Sequence, residues 1–318
     1  MIDIILPVYK VSKIYFEELI ISINDQVFKD VRLLIGYDDI SSESVIREVL
    51  KSFNQIEVIH IPNNKQHGIF GNINNLLSHS TSEYVQFLCQ DDILKPNFLF
   101  ENYSVLDQNS DVGMVFCQVD WCDSNSKIFK RNAHRVISNK PEKFNYHKAQ
   151  WEFLNFGCIP GNLSPVMIKN ELLKTIGLFD PNLKFASDFD YWQRVSIKYK
   201  IYHLPNSNLI LRKHKNQASV TLGIEQLIYD RSIIYHKLLE RIDSRFHYMI
   251  TKLYLNQTIG SNHVYHILKQ KKLDAFFRIK SYPFNYFISF VFLILTINGR
   301  LIFFNIPKNI QLKKINGN

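Results

Sequence analysis

Two adjacent carboxylates, Asp91 and Asp92, end the apolar run Tyr84-Val85-Gln86-Phe87-Leu88-Cys89. Carboxylates just past the C-terminal end of a buried strand lie where open α/β sheets bind their ligands. Two hard oxygen donors there suit Mg²⁺ or Mn²⁺, which keeps waters and a substrate diphosphate as its other ligands. The bland alternative is a solvated strand-to-helix turn with Asp92 or a neighbour as the cap, since Pro96 follows where a helix could start. A second pair, Asp38-Asp39, closes the run Val31 to Tyr37, with Ser41-Ser42 beyond it, and also reads as turn chemistry. Asp188 and Asp190 open an apolar-periodic stretch that carries Tyr191, Trp192 and Val195. There an acid caps the helix or complements its positive end.

The elements that must hold these acids alternate. Residues 2–8 read as a buried strand. Phe16, Leu19, Ile20, Ile23 and Val27 then make a helical stripe. Strands at 31–37, 56–61 and 84–89 alternate with helices at 44–53 and 72–78, which predicts a parallel, helix-covered sheet. Further on, the pattern predicts a helix to about Leu106, a strand over 113–119, a hairpin or excursion over 124–145 and a helix over 149–156. A strand follows at 166–168, then a short helix closed by Gly177 and a helix from Ser187 to about Lys198. Two short strands at 199–205 and 209–212 complete this part. Residues 223–275 are helical in pattern and rich in Lys, Arg and Tyr. Residues 284–297 are almost wholly apolar, but Asn298-Gly299-Arg300 interrupts before Leu301 to Phe304 resumes. A spanning helix needs roughly 20 apolar residues, and an arginine inside the span is costly, so no span is expected.

The 318 residues are 46% apolar and 21% charged, an ordinary globular balance, with a net charge of +9 that suits an anionic partner. The first strand-to-helix turn, Pro7-Val8-Tyr9-Lys10-Val11-Ser12, has no glycine, which disfavours a dinucleotide-binding enzyme, and no P-loop occurs. Four cysteines without Cys-x-x-Cys or zinc-type spacing read as buried thiols in a reducing compartment. The N-terminus runs straight into a strand, with no basic region or cleavage site of a signal peptide.

Taken together, six motifs resemble glycosyltransferase family 2. They are Ile4-Ile5-Leu6-Pro7-Val8-Tyr9, Asp38-Asp39-x-Ser41, Gly68-x-x-x-Asn72-x-Asn74, Phe87-Leu88-x-x-Asp91-Asp92, Asp188-x-Asp190-x-Trp192-x-Arg194 and Arg212-x-His214. The resemblance covers about residues 1–219. It implies an α/β GT-A fold, a mixed sheet covered by helices, and an inverting sugar transferase similar to bacterial O-antigen and capsule enzymes. Residues 1–220 would be the catalytic domain, and 221–318 a helical, basic, aromatic extension.

By the same resemblance Pro7 and Tyr9 line the base pocket, and Asp38 or Asp39 bonds the donor's base or ribose. Asn72 and Asn74 hold the nucleotide near the diphosphate. Asp91, with Asp92 beside it and His214 late in the chain, binds Mn²⁺ or Mg²⁺. Asp188 is the general base. The implied partners are a nucleotide-sugar donor and a glycan or polyprenyl-diphosphate-linked acceptor. The implied location is cytoplasmic, on the inner face of the cell membrane. Departures are Cys89 at the first acidic position of the metal triplet, Ser187 where a Glu is usual, and Asn74 where an Arg is frequent.

Segment 284–304 is either a core helix or a membrane-surface element. In the second case Lys269, Lys271, Lys272, Arg278, Lys280, Arg300 and Lys308 face anionic headgroups. A homodimerising tail fits the same length. A catalytically silent nucleotide-sugar binder of the same fold is the alternative function. A nucleic-acid binder is disfavoured by the dispersed Lys and Arg.

Overall fold

Period-two alternation in the first strands sends one apolar set to each face of a sheet, and both sets find helices to pack on. The structure, a computed structural model, describes residues 1–53, 55–63, 67–134, 137–215, 217, 223–269, 285–297 and 305–314. The chain begins β1 (Ile2–Val8), α1 (Lys13–Asn24), β2 (Val31–Tyr37), α2 (Ile40–Leu50), β3 (Glu57–Pro62), α3 (Ile69–Leu77) and β4 (Tyr84–Phe87). It continues with β5 (Ile93–Leu94), α4 (Phe98–Gln108), β6 (Val112–Cys122), β7 (Ile128–Lys130), β8 (Glu142–Phe144), α5 (Tyr146–Phe156) and β9 (Val166–Lys169). After α6 (Leu172–Thr175) come α7 (Ser187–Lys198) and β10 (Lys200–Arg212). The C-terminal helices are α8 (Ile224–Glu240), α9 (Arg245–Leu255), α10 (Ser261–Lys269), entered through a π-helical turn at Asn256–Gly260, and α11 (Tyr286–Ile297).

Strands β3-β2-β1-β4 are parallel, as the alternating pattern predicts. The sheet continues through β9, antiparallel to β4 and to β6, then β10, parallel to β6, and ends at β5, antiparallel to β10. The result is the mixed, helix-covered α/β sheet expected from the sequence. Ile4, Leu33 and Ile35 pack on α1, α2 and α4. Ile5, Leu34, Val85 and Phe87 pack on α3, α5 and α7. Ile228, Leu238, Leu255 and Val264 of α8 to α10 belong to that second buried cluster. The expected boundary near 220 falls on residues outside those described.

Several expectations need correction. The two short strands at 199–205 and 209–212 are one, β10, because the register against β6 shifts between Leu204 and Ser207 and again before Leu209. Pro205 sits in that irregularity, where a missing N–H is tolerated. Helix α2 starts at Ile40 rather than Ser44, because Asp39 caps it. Helix α3 starts at Ile69 rather than Asn72, just after Gly68, whose φ of +100° suits only glycine. Strand β5 has only two residues, too few to give a periodic signal.

At the opposite edge from the acidic loops, Asp3 is a fully buried carboxylate in β1. It accepts from Arg32 Nε (2.8 Å) and Nη2 (2.9 Å), from the hydroxyls of Ser80 and Ser82 (both 2.7 Å), and from the N–H groups of Thr81 and Ser82. Burial alone would raise its pKa, but these donors outweigh it and hold the carboxyl at about 2. A depressed carboxyl stabilises the fold above its unfolded pKa and loses that contribution as pH falls through the folded value. Asp3→Asn should therefore lose at least about 2 kcal/mol at neutral pH. The gap to wild type in denaturant titrations should close between pH 4 and 2.

Candidate active site

Parallel strands deliver their C-terminal ends to one edge, so the loops after β1, β2 and β4 meet there. Pro7 lies beyond the last β1–β4 pair, Ile5 with Phe87, where its missing N–H costs nothing on that side. Tyr9 is exposed, and its backbone is clamped by Gln90: Tyr9 N–H donates to Oε1 (2.8 Å) and Nε2 donates to the Tyr9 carbonyl (3.0 Å). Lys10 then turns with φ +47°, its N–H held by Asp39 Oδ1 at 2.9 Å.

The two acids after β2 divide their work. Asp39 caps α2, accepting from Ser42 N–H at 3.0 Å and from the Ser41 and Ser42 hydroxyls. Asp38 instead faces the end of β3. It accepts from the Asn63 amide and from Gly68 N–H (2.9 Å), with His67 Nδ1 3.8 Å away. Asn72 is buried and donates to the Gly36 carbonyl at 2.8 Å. A Cβ on Gly36 would come within 2.1 Å of its Oδ1, so the glycine makes room for the amide. Asn74 clamps Phe179, donating to its carbonyl (2.8 Å) and accepting from its N–H (3.0 Å). Both asparagines thus donate to the chain itself, and among the described residues neither side chain hydrogen-bonds to the acids.

The acids after β4 also diverge. Asp91 Oδ2 lies 2.7 Å from His214 Nε2, and both side chains stay partly open to solvent. Asp92 turns inward. The Ser164 hydroxyl donates to its Oδ2 at 2.6 Å, and Arg212 N–H approaches Oδ1 at 3.3 Å. Burial, reinforced by the neighbouring Asp91 charge, pushes the Asp92 carboxyl well up.

What brings His214 to Asp91 is strand pairing. Ile210 opposite Ile93 and Leu209 opposite Leu94 carry the end of β10 back along the Asp91-Asp92 loop. Arg212, fully buried, locks the return. Its Nε donates to the Asp91 carbonyl (3.1 Å), and Nη1 donates to Ser126 Oγ (2.9 Å) and the Asp123 carbonyl (3.3 Å). Nη2 pairs with Glu18 of α1. The Tyr15 ring stacks on the guanidinium at 4.2 Å and meets the His214 ring at 5.4 Å.

Asp188 enters the site from α7. Its Oδ1 accepts from Phe189 N–H at 2.7 Å. Among the described residues no side chain hydrogen-bonds or ion-pairs with it. It is not the N-cap, which is Ala186. Burial raises its carboxyl to about 6, the Phe189 N–H opposing. Cys89 links the two halves: its thiol, pushed well up by burial, feels the charges of Asp92, Asp91 and Asp188 together. Asp190 is buried and structural, bound by Arg194 Nε (2.8 Å) and Lys237 Nζ of α8 (2.7 Å).

Among the described residues no group of three or more His, Cys, Asp and Glu makes a metal cage. A carboxylate and an imidazole 2.7 Å apart, open to solvent, are nonetheless a fitting pair of protein ligands for an ion that takes its other ligands from diphosphate oxygens and water. Cys89 offers a soft sulfur, a poor match for such a hard ion. Ser164, Glu18, Gln90 and Asp230 escaped sequence reasoning, because single polar residues in loops or helices carry no spacing signal. Arg212 stood in the sixth motif, but its burial and its hydrogen bonds to Glu18, Ser126 and two carbonyls come from the structure.

Arg212→Lys should cost about 2–4 kcal/mol, because an ammonium cannot reproduce the fork that binds Asp91, Ser126 and Glu18. A denaturation midpoint checks the fold, and weakened Mn²⁺ binding with an intact fold would report the loosened Asp91–His214 pair.

The model of glycosyl transferase family 2 matches residues 3–169, more than half of the chain. An uncharacterised glycosyltransferase of Methanocaldococcus jannaschii is 25% identical over 230 residues, 68% of this chain and 75% of that one. A Campylobacter jejuni GalNAc(5)-diNAcBac-PP-undecaprenol beta-1,3-glucosyltransferase is 34% identical over 95 residues, 29% of this chain and 30% of that one. A mannosyltransferase of Pyrobaculum calidifontis, solved with GDP-Man and Mn²⁺, superimposes with a TM-score of 0.59 at 14% identity, covering 94% of this chain and 86% of that one. With strand-end acids, a mixed sheet and the family match in agreement, the chain belongs to glycosyltransferase family 2 and has the GT-A-like fold of that family.

Proposed function

We propose that the chain is a metal-assisted, inverting glycosyltransferase that moves a sugar from a nucleoside diphosphate to a hydroxyl of a lipid-linked surface glycan. The observation that carries this reading is the solvent-open Asp91–His214 pair, 2.7 Å apart, together with the carboxylate of Asp188, to which no side chain among those described hydrogen-bonds. A carboxyl poised at about 6 is ionised at neutral pH and still basic enough to take a proton from an alcohol as it attacks. The hydroxyl oxygen forms the new bond to sugar C1 as the C1–O bond to diphosphate breaks from the opposite face. The proton goes to Asp188 and the electron pair leaves with the nucleoside diphosphate. Asp91 and neutral His214 would hold Mn²⁺ or Mg²⁺, whose chemistry is neutralisation of the charge developing on that diphosphate. Asp38, with Pro7 and Tyr9, would receive the base and ribose. Asn72 and Asn74 would act through the position of α3 and its neighbours. Asp92 would support Asp91 from behind.

The acceptor class rests on the Campylobacter relative, whose name specifies an undecaprenyl-diphosphate-linked glycan. A membrane-surface location suits it. From residue 244 onward the chain carries eleven Lys and Arg against one carboxylate, Asp274, more than the whole net charge of +9. On α11 the stripe Phe287, Phe290, Val291 and Ile294 faces outward, with Phe287 75% exposed. The buried Ser289 on the other side is hydrogen-bonded to Asn256 and Ser261. An apolar stripe in a stretch of basic sequence suits an anionic headgroup layer. No helix among the described residues is long and apolar enough to cross a membrane. Residues 1–220 would form the catalytic unit and 221–318 its membrane-facing extension. Lys271, Lys272, Arg278, Lys280 and Arg300 lie outside the described residues.

The test is nucleoside diphosphate release from a panel of UDP- and GDP-sugars with Mn²⁺ or Mg²⁺ and a lipid-linked oligosaccharide extract. Chelation should abolish release, and Asp188→Asn should lower kcat by about 100-fold or more. The rate should fall below about pH 6 as the base is protonated. Binding of donor without release would instead favour a silent nucleotide-sugar binder. Asp188→Asn should also raise stability at pH 7, by up to about 3 kcal/mol, because a raised carboxyl destabilises the fold once ionised. Separately, the protein should float with phosphatidylglycerol vesicles and not with phosphatidylcholine vesicles. Phe287→Glu with Phe290→Glu should abolish flotation while leaving donor turnover in solution intact.

A further inference from the structure

We propose that Asp230, on the C-terminal helix α8, is a positioning residue for the base: it fixes the segment that opens α7 and so sets where the Asp188 carboxylate stands. The inference rests on Asp188 acting as the base, as proposed above.

Asp230 is fully buried. Its Oδ2 accepts from Phe185 N–H at 2.6 Å and Ala186 N–H at 3.1 Å, and its Oδ1 accepts from Gln226 Nε2, one turn back on α8, at 2.6 Å. Phe185 and Ala186 immediately precede α7. Ala186 is the N-cap and has no side chain to close the helix start, so the backbone leading into Asp188 is held from another helix. A second grip follows just beyond the base. Lys237, two turns on along α8, pairs with Asp190 at 2.7 Å, and Arg194 holds the other oxygen of that carboxylate. Between the two grips lie only Ser187, Asp188 and Phe189. A base displaced by about 1 Å from its acceptor loses roughly 100-fold in rate, so a clamp at this point governs turnover without touching substrate.

An asparagine could satisfy the same two N–H groups through its oxygen. The carboxylate adds a negative charge close to Asp188, which raises the Asp188 carboxyl. The other titratable groups facing Asp188 are Cys89, Cys158 and Arg231. Arg231 is the next residue along α8 and acts in the opposite sense to Asp230. Position 230 thus contributes both to geometry and to the pH at which the base is ready.

The experiment measures kcat, donor KM and the pH profile of nucleoside diphosphate release for full-length wild type, Asp230→Ala, Asp230→Asn and Asp188→Asn, using the donor that wild type turns over. Thermal unfolding records the folded fraction of each. Asp230→Ala should lower kcat roughly 10- to 100-fold with donor KM unchanged. Asp230→Asn should recover most of that rate, while its acidic limb moves to lower pH because a like charge beside the base is gone. Wild-type kcat in Asp230→Ala, an acidic limb unmoved in Asp230→Asn, or a rate loss that merely follows the unfolded fraction would each overturn the proposal. If Asp188→Asn keeps wild-type kcat, or wild type turns over no donor, the base reading itself falls and takes this inference with it. If Asp188→Asn is inactive while Asp230→Ala is not, only the role of Asp230 is lost.

Discussion

A buried guanidinium is the constraint on which the acidic edge depends. Arg212 can be desolvated only because its donors meet Glu18, Ser126 and two backbone carbonyls, and because Tyr15 covers its face. Those partners come from α1 and from the loops after β4 and β6, while Arg212 itself ends β10. Satisfying one cation therefore fixes four distant pieces of chain relative to one another. His214, two residues beyond, inherits its place against Asp91 from that arrangement. The antiparallel pairing of β5 with β10 sets the register, and Arg212 makes a slip of it expensive.

Around that fixed point, neighbouring carboxylates take unlike tasks because their surroundings differ. Asp39 is consumed by a helix start, whereas Asp38 faces the loop at Gly68. Asp92 is turned into the protein and favours its proton, whereas Asp91 remains at the surface of the cleft. Asp190 is neutralised by two cations, whereas Asp188 has an ion pair with none among the described residues. In each pair one acid builds the backbone that presents the other. A substitution in the structural member would disturb function indirectly, through geometry.

Much of the fold was legible because buried parallel strands are continuous apolar runs and their helices carry a 3.6-residue stripe. The acids stood out because they interrupt such runs at the edge where loops meet. What stayed hidden has physical reasons. A two-residue strand such as β5 has no period, and a bulge around Pro205 resembles a break in β10. The division of labour within Asp38-Asp39 and Asp91-Asp92 depends on which way a turn rotates, which residue types do not reveal. Nor do residue types reveal that Asn72 donates to the Gly36 carbonyl and Asn74 to that of Phe179. The grip of Asp230 on Phe185 and Ala186 spans 44 or more residues and leaves no trace in spacing.

The long reach of these contacts has a consequence for synthesis on the ribosome. Asp91 waits 123 residues for His214, and Glu18 waits 194 for Arg212. The four parallel strands can pair as soon as residue 87 has emerged, yet the cleft at their ends lacks its far wall until β10 follows. During that interval the nascent chain exposes an edge of β4 and a cluster of acids with no counter-charge. The partners of Glu18 and Asp91 are therefore made only after two-thirds of the chain, at residues 212 and 214.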